Sequence, residues 1–119
     1  MFIDTMAKYE RLIERIDAPQ LRLTLDVGHL HCQGEFPLYD QIRRWHERLV
    51  NVHIEDMRRG VHDHLMLGEG EIDFSEVMGA LKEIGYGGGV HVELSRHSHD
   101  AVETARRALA FLRQSEPEA

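Results

Sequence analysis

Three short segments alternate between apolar and polar residues, and this constrains the fold more than any other feature of the chain. LRLTLDV (21–27) sets Leu21, Leu23 and Leu25 against Arg22, Thr24 and Asp26. LVNVHIED (49–56) sets Val50, Val52 and Ile54 against Asn51, His53 and Glu55, and GGVHVEL (88–94) sets Val90, Val92 and Leu94 against Gly89, His91 and Glu93. Alternation with period 2 is the mark of a strand with two unlike faces. A strand covered by helices on both sides would instead be a near-continuous apolar run. Each segment therefore has one face for helices and one polar face that looks elsewhere.

The stretches between them carry helical periodicity. Asp4 or Thr5 precedes a stripe of Met6, Tyr9, Leu12, Ile13 and Ile16, ended by Ala18–Pro19. Pro37 suits the first turn of a helix bearing Leu38, Ile42, Trp45 and Leu49. Asp73 and Glu76 form a capping-box pattern ahead of Phe74, Val77, Leu81 and Ile84, with Gly85 as the stop. Asp100 and Glu103 precede Val102, Ala105, Leu109 and Leu112. Residues 56–72 read as a long loop, and 114–119 as a frayed tail of one domain spanning 1–119. Strands and helices take turns, which predicts an α/β fold with a parallel sheet and right-handed crossovers.

Parallel strands align their carboxyl ends, so Asp26, His53 and Glu93 should converge on one rim. A lone histidine or aspartate on a strand is usually hydrogen-bonded structure. Three strands ending in ligand-type residues on the same face favour a site. His29 follows Asp26 by three residues, and His62 and His64 lie in the loop; an HxH pair alone is a weak signal. His31, His46, His97 and His99 read as surface residues, His91 as a packing or supporting residue, and Cys32 as a bystander. With 119 residues, a formal net charge of −7 and one cysteine, the chain reads as a cytoplasmic protein without an internal disulfide. The charge argues against a nucleic-acid binder, and no segment suits a membrane span or a signal peptide.

LTLDVGH, VHIED, HDHLMLGEGEIDF and GYGGGVHVELS, in this order, resemble the closing portion of the xylose isomerase-like TIM barrels. That superfamily includes sugar-phosphate isomerases and epimerases and, more distantly, DNA-repair enzymes of the endonuclease IV type. The resemblance implies that the three strands are the sixth, seventh and eighth of a (β/α)₈ barrel, with the leading helix as the fifth. It implies that Asp26, His53 and Glu93 are ligands of one divalent cation (Mn²⁺, Mg²⁺, Co²⁺ or Zn²⁺) and that Glu93 also transfers protons. His29, Arg59 and His64 resemble substrate-binding positions. His62 and His64 are candidates for an additional metal, with His62 standing where the relatives usually carry Asp.

The expected reaction is isomerisation or epimerisation of a sugar or sugar phosphate through an enediolate. A TIM barrel takes about 250 residues, and the second acid/base group of the family belongs to a strand this chain does not contain. The expectation is therefore a partial barrel that needs the missing segment or self-association. The alternatives are a metal-dependent DNA phosphodiesterase and a non-catalytic barrel segment.

Overall fold

Leucines and valines on one face of each strand require a helical cover, and the intervening chain supplies it. The computed structural model describes residues 4–117. In chain order the elements are α1 (Met6–Arg15), β1 (Leu23–Asp26), α2 (Val27–Cys32), α3 (Leu38–Arg44) and β2 (Leu49–Ile54). There follow β3 (Asp56–Arg58), β4 (Val61–Leu65), α4 (Phe74–Glu83), β5 (Gly89–Val92), a 3-10 segment (Ser95–Asp100) and α5 (Ala101–Ser115). β1, β2 and β5 form a parallel sheet in that order, as the alternation requires. Leu23, Leu25, Val52 and Ile54 belong to one buried core with Ile42 and Trp45 of the α3 segment and Val77 and Leu81 of α4. Burying each such side chain is worth about 1.5–3 kcal/mol. On the other face Arg22, Thr24, His91 and Glu93 are exposed.

Helix ends follow local chemistry. Thr5 caps α1 by accepting from Lys8 N, and Glu35 reaches across from the loop to accept from Met6 N at 3.0 Å. Asp73 accepts from Ser75 N and Glu76 N. Glu76 does not close the capping box: its Oε1 accepts from Tyr39 N at 3.2 Å and ties α4 to the start of α3. Gly85, at φ 68°, lets Tyr86 N reach Leu81 O and Gly85 N reach Lys82 O, a Schellman stop.

Several expectations change. Residues 56–72 are not all loop: β3 and β4 form an antiparallel hairpin, turned at Gly60 with φ 74°. Arg, His and Asp at its centre hide the strand pattern. Residues 27–32 form the short helix α2, because Asp26 caps it. Leu49 opens β2 instead of closing a helix, and the pairing register slips at Val50, leaving it 49% exposed. β5 has its aliphatic Val92 partly open to solvent, with no strand beyond it in the described sheet. α5 buries Thr104, Ala108 and Ser115, whereas Val102 and Leu109 of the expected stripe are 73% and 49% exposed. The helix also runs through Ser115, whose Oγ donates to Phe111 O, so residues 114 and 115 of the expected tail are helical; residues 118–119 lie outside the described residues.

Candidate metal centre

Asp26 closes β1, and its Oδ1 accepts from His29 N at 3.0 Å, capping α2. That bond fixes the carboxylate at the end of the strand. Register sets Asp26 beside His53, and His53 beside His91. Glu93 lies two residues beyond His91, with its N–H on Ile54 O, so the third member of the rim sits one step higher than a level row. His53 Nδ1 is 3.5 Å from Glu93 Oε2, and its Nε2 is 3.2 Å from the Asn51 side-chain amide. One donor atom each of Asp26, His53 and Glu93 lies within 4.8 Å of the others.

The hairpin builds a second group. Period 2 along β4 puts His62 and His64 on one side, and that side meets His29. The rings of His29 and His62 are 4.6 Å apart, those of His62 and His64 5.2 Å, and those of His29 and His64 6.2 Å. Their donor atoms also fall within 4.8 Å. Arg59 sits at the hairpin turn, its guanidinium 5.7 Å over the Phe36 ring, outside both groups. His91 lies 6.0 Å from the His53 ring. His31, expected at the surface, is buried edge-on to Phe36 at 4.9 Å, because α2 turns it inward. His46 is exposed as expected.

Two adjacent buried carboxylates then have opposite fates. Asp56 accepts from Met57 N, Gly68 N and Ile72 N, and so pins the hairpin and the following loop. Glu55 is 0% exposed, and neither of its oxygens accepts a hydrogen bond. Its Oε1 is 3.4 Å from His64 Nδ1 without hydrogen-bond geometry. Burial first, then a hydrogen bond shared with Asp26 and the charges of Asp26 and Glu93, push its carboxyl up to about 9. Sequence reasoning left Glu55 out of the site, although its place two residues after His53 on the same face was the available signal.

These residues fit a hard or borderline divalent cation. Carboxylates and imidazoles without thiolate suit Mn²⁺, Mg²⁺, Co²⁺ or Zn²⁺, and Glu55 presents two buried oxygens without donors. The xylose isomerase-like TIM barrel family model matches residues 1–115. The chain belongs to this family. Inosose dehydratase of Lacticaseibacillus casei is 32% identical over 92% of this chain, which covers 43% of that relative. An uncharacterized protein of Methanocaldococcus jannaschii is 33% identical over 78% of the chain and 32% of its own length. Among solved structures, the 3-keto-D-glucoside 4-epimerase of E. coli matches with a TM-score of 0.76 and 26% identity over 95% of this chain and 41% of that one. The D-allulose 3-epimerase of Methylomonas, solved with D-allulose, matches with a TM-score of 0.75 and 25% identity over 96% and 43%. The chain thus spans less than half the length of these xylose isomerase-like proteins and forms part of a barrel.

Proposed function

We propose that this chain belongs to a divalent-metal-dependent isomerase or epimerase that moves a proton beside the carbonyl of a sugar or sugar phosphate. The grouping of Asp26, His53 and Glu93 at the ends of three parallel strands carries this reading. When bound there, the cation would polarise the carbonyl and stabilise the charge of an enediolate. Asp26, held by its cap, and His53, steadied by Asn51, orient the donors. Glu93 takes the proton from the carbon next to the carbonyl, since its carboxylate is the most open of the three. His29 and His64, beside the grouped ligands, contact substrate oxygens, whereas Arg59, over the Phe36 ring, stands away from them. A group on a strand outside this chain returns the proton.

Related epimerases and a dehydratase fit one chemistry, because epimerisation and loss of water beside a carbonyl both begin with removal of that proton. The His29, His62 and His64 group favours a second reading, an endonuclease IV-like phosphodiesterase with additional metal. The net charge of −7 weighs against a polyanionic substrate. We place the protein in the reducing cytoplasm, given its free Cys32. No helix among the described residues is long and apolar enough to cross a membrane.

The test is Glu93→Gln in the complete protein, with metal content and turnover of ketoses and ketose phosphates measured on the same sample. Turnover should fall by about 100-fold or more while bound metal is retained at least in part. A variant holding both its metal and near-normal turnover would remove Glu93 from the chemistry.

A further inference from the structure

Glu55 is costly unless something positive meets it. An ionised buried carboxylate without donors is strongly destabilising, and neither oxygen of Glu55 accepts from one; without a cation its only relief is a proton shared with Asp26. Asp56 shows that this backbone can satisfy a buried carboxylate with three amides, yet it gives Glu55 none. No arginine or lysine pairs with it among the described ion pairs; its charged neighbours are Asp26 and Glu93, which add like charge. The fold nevertheless reserves room for it. A Cβ on Gly28 would lie 2.7 Å from Glu55 Cδ and Oε1, so any side chain at residue 28 would push this carboxylate from its place.

Position explains what the room is for. A donor atom of Glu55 lies within 4.8 Å of donors from Asp26 and His29, and again of donors from His64 and Glu93. Each set takes one residue from the Asp26–His53–Glu93 group and one from the His29–His62–His64 group. Building on the metal-site reading above, we infer that Glu55 is itself a metal ligand, its carboxylate bridging the two groups into one two-cation centre. Two divalent charges offset three clustered carboxylates, and each otherwise donorless oxygen of Glu55 gains a cation.

The test titrates chelator-stripped protein with Mn²⁺ alone, comparing wild type with Glu55→Gln, Gly28→Ala and His53→Ala. Stoichiometry comes from calorimetry and elemental analysis, coupling from electron paramagnetic resonance, and folding from circular dichroism. Wild type should bind two Mn²⁺ with an exchange-coupled spectrum. Glu55→Gln, nearly isosteric, should bind at least one of them about 10- to 100-fold more weakly and show only isolated Mn²⁺. Gly28→Ala, which displaces the Glu55 carboxylate while leaving every ligand residue chemically unchanged, should lose the coupling too. A Glu55→Gln protein with wild-type stoichiometry, affinity and coupling overturns the inference, as does a wild type that binds a single Mn²⁺. In either case a cation that His53→Ala abolishes leaves the single-metal reading standing. A wild type that binds none defeats both.

Discussion

Glu55 and Asp56 are neighbours in sequence, equally buried, and should answer mutation with opposite signs. In metal-free protein the Glu55 carboxyl is raised from 4.5 to about 9. Its contribution to stability is therefore fully present below the unfolded value and is lost as pH rises toward the folded one. Urea melts of chelated protein at about pH 6 and about pH 8.5 should show wild type weakening at the higher pH and Glu55→Gln keeping its stability. Asp56→Ala should instead lose stability by about 1–3 kcal/mol for each buried amide left unpaired. Equal behaviour of the two variants would contradict these roles. Asp26, His53 and Glu93 were legible because strand period and strand end place them without further information. Glu55 shares their face by the same period, but its lack of donors was not legible, because nothing in the sequence says which of two adjacent acids receives the backbone amides.

At the scale of elements, β2 is the spine of the molecule, since it pairs with both other strands of the parallel sheet. Ile54 is fully buried at its end, directly before Glu55. Ile54→Ala should cost about 2–5 kcal/mol in chemical denaturation; a loss below about 1 kcal/mol would show that this face of β2 is not the core. Helix starts and strand centres were readable from caps and alternation, as Thr5, Asp73 and Val52 show. The hairpin was not, because its alternation runs through Arg58, His62 and His64 and its anchor is the remote Asp56–Gly68 contact. Val50 was misplaced for a related reason: a slip in pairing register is set by the neighbouring strand and leaves no trace in the period of its own.

At the scale of the molecule, the parallel sheet has open edges at β1 and β5 among the described residues, and α5 presents Val102 and Leu109 to solvent. Unpaired strand edges and apolar stripes are association surfaces. We expect residues 1–119 expressed alone to self-associate, and Val102→Glu with Leu109→Glu to reduce the associated fraction in light scattering. A monomeric wild-type chain that is active on a ketose would refute the need for further barrel strands. The central claim is that three strand ends share one cation, and its most direct measurement is calorimetric titration of Mn²⁺ or Zn²⁺ into wild type and His53→Ala. Wild type should bind, more weakly as pH falls because the ligands must be deprotonated, and His53→Ala should bind at least about 10-fold more weakly. Equal binding by the two proteins would contradict the claim.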